Sequence, residues 1–461
     1  MTSRQVLWGI LCTLGASAFP ATAAHAQADS AIAAAYRETA NRIIQAATAD
    51  SAAWERIALL TDTFGSRIAG SAALEQAIDW IVGQMKTDRL DSVRTQPATV
   101  PYWVRGKESA ELVEPRHVNL PMLGLGGSIG TPPEGITAEV LVVSSFDDLH
   151  MRAGEAAGKI VLFDAPFTDY GATGRYRWRG AVEAARAGAV ACLIRSITPF
   201  SISSPHTGEM AYDSTVTRIP AAALTTENAM MLHRMQNRGQ RVVVTLRMEA
   251  ARMPDAQSRN VMGQITGREK PDEVVVMGGH IDSWDVGEGA MDDAGGMVAA
   301  WQALRVLQQL GLHPRRTIRV VGWTAEENSG AGGAAYRDSL GTDVSRHVLA
   351  IESDGGVFRP LGFGFTGSDS ALAILRQIGH LLAPIGADTV AKGGGEADIE
   401  PLMRAGVPGV GLYTDGDRYF WFHHTQGDMV TVLDPADVAR CAAAMAVLAY
   451  VVADMPGELP K

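Results

Sequence analysis

Val274-Val275-Val276-Met277-Gly278-Gly279-His280-Ile281-Asp282 is a short apolar run that ends in a histidine and an aspartate. A run of this length, bounded by glycine and polar residues, is typical of a buried strand. Similar runs recur at residues 317–323, 348–351 and 407–413, and helical patterns occupy residues 295–310, 331–340, 368–382 and 435–453. Strands that alternate with helices predict an α/β fold in which a mixed, mostly parallel sheet carries helices on both faces.

Acidic and histidine residues follow the strands of this predicted sheet. Ligands of open parallel sheets bind beyond the carboxyl ends of the strands, so side chains that follow different strands meet at one edge. The clusters are His280-Ile281-Asp282, Met291-Asp292-Asp293, Glu326-Glu327, Asp354 and His423-His424. Carboxylate and imidazole groups suit zinc, and five of them with one bridging carboxylate would hold two ions.

Each cluster has an ordinary interpretation when it is taken alone. Glu326-Glu327 would favour a helix N-terminus, and Asp292-Asp293 would cap a helix. Independent surface roles, however, would not place acids and histidines repeatedly at one edge of one sheet. The joint pattern therefore favours a metal site.

The same motifs, in the same order, resemble the co-catalytic zinc aminopeptidase and glutamate carboxypeptidase family. The resemblance is carried by residues 278–282, 290–296, 323–327, 352–354 and 424–428, and it extends over nearly all of the chain after residue 26. It implies the zinc exopeptidase fold. It also implies that the middle of the chain is a protease-associated domain inserted into the catalytic domain.

The resemblance also implies a ligand set for two zinc ions. Asp292 would bridge the ions. His280 and Asp354 would complete one site, and Glu327 and His424 the other. The family places its histidine ligand directly before Thr or Ser, which selects His424.

Further roles follow from the same resemblance. Glu326 would be the general base and acid, which activates the attacking water and later protonates the leaving amine. Asp282 would accept the second ring N–H of His280 and fix its tautomer. The bond between Asp292 and Asp293 would be cis, as is typical of the family. His423 is expected to be a packed or outer-layer histidine.

Weaker signals concern the walls of a substrate pocket. Residues 393–398, Gly-Gly-Gly-Glu-Ala-Asp, resemble the family's loop beside the cleft, and an ordinary flexible turn is the alternative. Trp284 and Tyr419 flank the expected ligands and are candidates to line the pocket, although aromatic residues are more often plain core. Arg359, Lys392, Arg404 and Arg418 are the basic residues considered for recognising a free carboxylate.

The pattern divides the chain into a catalytic domain, residues 27–112 and 258–461, and an insert at residues 113–257. The insert combines strand patterns with an alanine-rich helix at residues 180–187 and shows no catalytic motif. We expect it to shape or cover the cleft and, as in the family, to support a homodimer. Cys192 and Cys441 lie in apolar runs and are expected to be structural thiols, although a disulfide between them remains open.

Residues 1–26 have the features of a signal peptide: a positive Arg4, an apolar run at residues 6–19 and Ala24-His25-Ala26 as a cleavage site. The apolar run is shorter than the ~20 residues that span a bilayer. We therefore expect an exported chain, periplasmic or secreted after cleavage near Ala26, with no membrane span in its mature form. The net charge of -11 argues against nucleic acid or an anionic membrane as the main partner.

The predicted function is zinc-dependent removal of residues from an end of small peptides, with dipeptides or short peptides as substrates. An aminopeptidase that acts on longer peptides is the second candidate, because the direction of attack is open. A non-catalytic, receptor-like protein on the same scaffold is the alternative from another class. It would have lost ligands, whereas all five and Glu326 are present. Two other reactions use the same metal chemistry: hydrolysis of acylated amino acids, and cyclisation of an amino-terminal glutamine.

Overall fold

A computed structural model describes residues 31–49 and 51–461, so the expected signal peptide at residues 1–26 lies outside the described residues. The helices are α1 Ala31–Ala47, α2 Ala52–Phe64, α3 Ala72–Thr87, α4 Phe146–Met151, α5 Ala153–Ala156, α6 Tyr170–Arg186, α7 Thr226–Asn237, α8 Gly295–Gln309, α9 Glu326–Ser329, α10 Ala331–Leu340, α11 Asp369–Gly379, α12 Glu400–Arg404, α13 Tyr419–Phe422 and α14 Pro435–Asp454. The strands are β1 Asp91–Val104, β2 Glu108–Glu114, β3 Val118–Leu120, β4 Met122–Gly124, β5 Ile136–Val143, β6 Ile160–Phe163, β7 Ala191–Arg195, β8 Ala221–Leu224, β9 Val243–Met248, β10 Ala251–Ile265, β11 Lys270–His280, β12 Arg316–Trp323, β13 His347–Glu352, β14 Pro360–Thr366, β15 Thr389–Lys392 and β16 Gly409–Thr414.

The first sheet has the order β1-β10-β12-β11-β13-β16-β14-β15. Its centre is parallel, because β11 pairs in parallel with both β12 and β13, and β13 pairs in parallel with β16. Antiparallel pairs flank this centre, β10 with β12 on one side and β14 with β16 on the other. The predicted mixed, mostly parallel sheet is confirmed.

Helices cover both faces of this sheet, and β11 shows how. Alternate side chains of a strand point to opposite faces. Val275 and Met277 belong to the core that contains α8 and α14, whereas Val274 and Val276 pack with Tyr336 of α10 on the other face. The continuous apolar run of β11 is therefore the mark of a strand that is buried on both sides.

The sequence analysis did not predict the long antiparallel pair of β1 and β10. The two strands pair from Asp91 opposite Gln264 to Val104 opposite Ala251. Proline lacks the N–H that a central strand needs, so Pro97 and Pro101 weaken any strand pattern in β1. Strand β1 lies at the edge of the sheet, where proline is tolerated.

A second sheet, of order β3-β2-β9-β5-β6-β7-β8-β4, is built from residues 108 to 248. Its parallel centre, β5 to β8, separates two apolar clusters of its own. The sheet occupies the region expected to be the insert, residues 113–257, but its strand β2 begins earlier, at Glu108. Cys192 of this sheet and Cys441 of α14 are both buried free thiols, so the expected structural thiols are confirmed.

In the described part of the chain, α14 is the one helix whose length and composition would allow it to cross a membrane. Within its apolar window, 83% of the residues are buried inside the protein. It packs against α8 and α1 in the main core. Its apolar character is therefore accounted for by core packing.

Candidate metal centre and active site

His280 is the last residue of β11, and its imidazole is completely buried. Its Nε2 atom lies 3.3 Å from Asp292 Oδ1 and 3.4 Å from Asp354 Oδ1. Asp354 follows β13, the parallel neighbour of β11, so the two side chains leave the sheet at the same edge. The order of the strands therefore brings together three residues that are separated in the sequence.

Asp292 lies in the tight turn Ala290–Ala294, just before α8. While its Oδ1 faces His280, its Oδ2 lies 3.4 Å from His424 Nε2. His424 Nε2 is in turn 3.0 Å from Glu327 Oε2. Asp292 thus stands between one pair of side chains, His280 with Asp354, and another, Glu327 with His424. The bond between Asp292 and Asp293 is cis, as predicted.

Several buried polar atoms of this centre lie close together but form no hydrogen bond with one another. In the part of the chain that the structure describes, His280 Nε2, Asp292 Oδ2 and Asp354 Oδ1 are buried and have no hydrogen-bond partner. Two sets of potential ligand atoms lie within 4.8 Å of one another: His280, Asp292 and Asp354, and Asp292, His423 and His424. Buried polar atoms are nearly always partnered, and nitrogen and carboxylate donors in such sets are those that zinc prefers. The residues therefore fit metal ions.

His423, which we expect to be a packed or outer-layer histidine, also lies close to this centre. Its Nε2 lies 3.5 Å from Asp292 Oδ2, nearly as close as that of His424. The two imidazoles stack with their centroids 3.5 Å apart. Burial, followed by the charge of His424, holds the pKa of His423 well below its ordinary value. His423 is therefore a neutral ring that faces the candidate centre.

Glu326 and Glu327 begin α9 directly after β12, and Ala325 turns the chain between them and the strand with a φ of 59°. Glu326 Oε2 lies 3.9 Å from His280 Nε2. Burial, despite the nearby His280, raises the pKa of Glu326 well above its ordinary value. The two neighbouring glutamates point to different parts of the centre, Glu326 toward His280 and Glu327 toward His424.

The contacts of Asp282 differ from those predicted. His280 Nδ1 lies 2.9 Å from the backbone carbonyl oxygen of Asp282 and 3.7 Å from its carboxylate. The carboxylate instead accepts the backbone N–H groups of Glu326, at 3.1 Å, and Glu327, at 3.4 Å. Asp282 therefore orients His280 through its carbonyl and holds the turn that presents both glutamates through its side chain.

Asp428 is a positioning residue whose role the sequence analysis did not identify. Its carboxylate accepts the backbone N–H groups of Ala290, Met291 and Asp292, at 3.1, 2.7 and 3.2 Å. It therefore fixes the turn that carries Asp292. Burial, followed by the charge of Asp292, raises the pKa of Asp428 to about 7. Its sequence signal was present, since it closes the motif at residues 424–428.

Arg67 supports the same region from the break between α2 and α3. It is completely buried and donates to the carbonyl oxygens of Ile281, Glu288 and Gly289, at 2.8, 2.7 and 2.9 Å. These carbonyls belong to the loop that joins His280 to the Asp292 turn. Nothing near Arg67 in the sequence signals this role, because these three carbonyl oxygens lie more than 200 residues away along the chain.

The candidate centre forms the floor of a cavity of about 570 Å³. Both sheets contribute to its walls. From the region of the second sheet come Tyr170, Arg177, Trp178 and Glu209; from the first come Asp292, Glu326, Glu327, Asp354, Gly355, Glu396, Leu412, Tyr413, Thr414, Gly416, Tyr419, Phe420, His423 and His424. Of the weaker sequence signals, Tyr419 and the loop at residues 393–398, through Glu396, thus reach the cavity. Trp284 instead packs beside His424, with ring centroids 5.6 Å apart.

Residues 260–449 match the model of peptidase family M28. Carboxypeptidase Q of Xenopus laevis is 50% identical over 429 residues, which cover 92% of this chain and 92% of that protein. A solved structure of a peptidase M28 precursor from Shewanella amazonensis SB2B is 34% identical, with a TM-score of 0.89 and coverage of 93% of this chain and 99% of that one. The chain belongs to peptidase family M28.

The family predicted from the five motifs is thereby confirmed, and this M28 peptidase is a metallo-exopeptidase. The resemblance of residues 279–296 and 419–428 to carboxypeptidase Q, made from the sequence alone, agrees with this match. A zinc aminopeptidase from Bacillus subtilis is 21% identical, with a TM-score of 0.67 and coverage of 88% of this chain and 96% of that one. At that identity the M28 peptidase shares its fold.

Proposed function

We propose that this M28 peptidase hydrolyses dipeptides and short peptides from an end, with two zinc ions held around Asp292. One observation carries the proposal. Side chains from separate strand ends converge on Asp292, and three of their buried polar atoms have no hydrogen-bond partner among the described residues. Carboxypeptidase Q, at 50% identity, supports the reaction class.

His280 and Asp354 would hold one ion, Glu327 and His424 the other, and Asp292 would bridge them. The distances support this division, because His280 and His424 face different oxygens of Asp292. A bound zinc pair would supply Lewis acidity and a water of lowered pKa for attack on the peptide carbonyl.

Glu326 is proposed as the general base and acid. Its carboxylate lines the cavity, and its Oε2 lies 3.9 Å from His280 Nε2, beside the proposed ions. It can therefore accept a proton from the attacking water and deliver that proton to the amine that leaves. Asp282 acts as a positioning residue, since it holds the backbone N–H groups of Glu326 and Glu327.

Three further proposals concern the insert, the export of the chain and its assembly. We propose that residues 113–257 are a protease-associated insert that covers one side of the cleft. Its contributions to the cavity, Arg177 and Glu209 among them, support this role. We also propose export after cleavage near Ala26, and a homodimer. The mass of the secreted protein and sedimentation of the purified protein test these two statements.

The proposed function is tested with purified protein and a panel of free dipeptides, longer peptides, dipeptides with blocked termini and amino acid amides. Free dipeptides should be cleaved fastest, a chelator should abolish cleavage, and added zinc should restore it. Faster cleavage of longer peptides, with release of the amino-terminal residue, would establish an aminopeptidase instead. Activity confined to blocked substrates would contradict the exopeptidase proposal, and zinc-loaded protein that binds peptides without cleaving them would establish a receptor-like protein.

A further inference from the structure

The side chains around the cavity include many more acidic groups than basic ones. Acidic side chains dominate its walls, and Arg177 is the one lysine or arginine among the described residues that line it. Asp292, Glu327 and Asp354 among these acids are the proposed zinc ligands, and a small peptide with free ends carries a carboxylate that still needs a positive partner. A guanidinium in the wall of this cavity is a suitable partner for that carboxylate.

Arg177 lies on α6, and its neighbours are neutral acceptors. Its Nη2 donates to Tyr170 Oη at 2.7 Å, and its Nη1 lies 3.5 Å from the carbonyl oxygen of Thr207. Its Nε is buried and has no hydrogen-bond partner among the described residues. Within the described ranges, 31–49 and 51–461, no carboxylate lies within 4.0 Å of the guanidinium. Among the described residues, Arg177 therefore forms no ion pair.

Gly208 and Glu209, which lie beside Arg177, are compatible with an arginine that is available to a ligand. A Cβ atom on Gly208, whose φ is 131°, would lie 2.4 Å from Arg177 Nη1, so glycine is needed for the guanidinium to lie against this loop. Glu209 is the acidic side chain on the same wall. Burial raises its pKa to about 7, so its negative charge only partly offsets Arg177 near neutral pH.

The basic residues first considered for this role lie elsewhere. Arg359, Lys392 and Arg404 pair with Asp415, Asp369 and Glu400, at 2.7, 2.8 and 2.6 Å. Arg418 lies over the ring of Phe358, 5.5 Å from its centroid. None of the four is among the residues that line the cavity.

We propose that Arg177 binds the carboxylate of the peptide's C-terminus, so that the substrate lies with that end toward the second sheet. This inference rests on the proposed function. The guanidinium presents several N–H groups to a carboxylate in a forked geometry. Arg177 also lies 3.5 Å from His424, so a carboxylate bound there is held beside the candidate centre. Arg177 is therefore a specificity-determining residue.

The test pairs each dipeptide with its C-terminal amide, which lacks the negative charge. The wild-type protein should favour the free acid by about 100-fold in kcat/KM, chiefly through KM. Arg177→Gln should remove that preference: kcat/KM for the free acid falls about 100-fold, and the value for the amide changes less than about threefold. Arg177→Lys should restore about a tenth of the loss, because it keeps the charge without the fork.

Arg175→Gln is the matched control, because Arg175 lies on the same helix but over the ring of Phe146, 5.4 Å from its centroid. It should leave both substrates unaffected. Zinc content and melting temperature of every variant separate a specific effect from misfolding. Equal losses on acid and amide in a zinc-loaded Arg177→Gln protein, or no preference for the acid in the wild type, would overturn the inference.

Failure of the proposed function would be visible separately, as a zinc-loaded wild-type protein that cleaves neither substrate. In that case, calorimetric titration of the same dipeptide and its amide decides the role of Arg177. Tighter binding of the acid that disappears in Arg177→Gln would support the inference. Identical affinities in the two proteins would reject it.

Discussion

The two sheets of this M28 peptidase share a parallel centre flanked by antiparallel strands, but they are used differently. The first sheet directs His280, Glu326 and Asp354 from the ends of neighbouring strands into one buried centre. The second reaches the cavity only through α6 and the loop that carries Glu209. The first sheet therefore supplies the reactive groups, and the second forms a wall of the cavity. Substitutions in the first sheet should affect kcat and zinc content, and substitutions in the second should affect KM.

Removal of metal should produce the largest effect. Without the zinc ions, the buried acidic groups around Asp292 repel one another. Chelation should abolish peptide cleavage and lower the melting temperature by several degrees, since metal binding stabilises the folded state. Hydrogen exchange measured with and without chelator should show faster exchange at residues 290–296 and 423–428, and little change in strands β5 to β8. Equal increases in hydrogen exchange in both sheets would contradict this division of roles.

Glu326→Gln should be next in size. The variant keeps the shape of the side chain but cannot take a proton from water, and general acid–base catalysis typically contributes ~10²–10⁴-fold in rate. We expect kcat to fall by about that factor, with zinc content unchanged. Zinc analysis and turnover on a free dipeptide are the measurements.

Glu327→Gln is the matched comparison, because the adjacent side chain contacts His424 at 3.0 Å. It should lose zinc as well as turnover. A Glu326→Gln protein with near wild-type turnover would remove Glu326 from the proposed mechanism.

The strands that carry the centre could be predicted from the sequence for a physical reason. Strand β11 is buried on both faces and therefore reads as an uninterrupted apolar run. Its polar ends stand out against that run, as His280 and Asp282 do. The fold class and the clusters of acids and histidines follow from this contrast, whereas the ligand set was implied by the resemblance to the family.

The remaining features depend on contacts that no local pattern records. Strand β1 is partly exposed and contains two prolines, so its pairing with β10 gives little sequence signal. Arg177 reaches the cavity because the second sheet packs beside the first, and Arg67 contacts distant carbonyls. His423 and His424 are neighbours of the same type, and only the fold shows that both face Asp292.

Asp428→Asn should have an intermediate effect. Asparagine keeps one oxygen, whereas the Asp428 carboxylate uses both oxygens for three backbone N–H groups. The turn that carries Asp292 should loosen, and partners that orient metal ligands typically affect affinity or activity ~10–100-fold. Zinc affinity and kcat/KM should both fall within that range.

The control is Asp434→Asn, which changes the cap of α14 far along the chain from the turn. Asparagine caps helices about as well as aspartate, so zinc affinity should not change. A full loss of folding in Asp428→Asn would assign this residue to stability of the fold instead of the Asp292 turn.

The smallest effect tests the second sheet. The side chain of Asp169 caps α6 by accepting the N–H of Ala172 at 2.8 Å. Its replacement by alanine should cost about 1 kcal/mol of stability and loosen the first turn, where Tyr170 accepts the hydrogen bond from Arg177. We expect KM for free dipeptides to rise about threefold with kcat unchanged.

Thr225→Ala removes the equivalent cap from α7, where Thr225 accepts the N–H of Asn228 at 3.1 Å. Helix α7 contributes no residue to the cavity lining, so this variant should lose similar stability without a change in KM. The pair therefore separates a general weakening of the second sheet from a specific loss of the wall. If both variants raise KM equally, the wall acts through the stability of the whole sheet. If Asp169→Ala lowers kcat instead, the second sheet takes part in the chemistry, and the division between the two sheets is wrong.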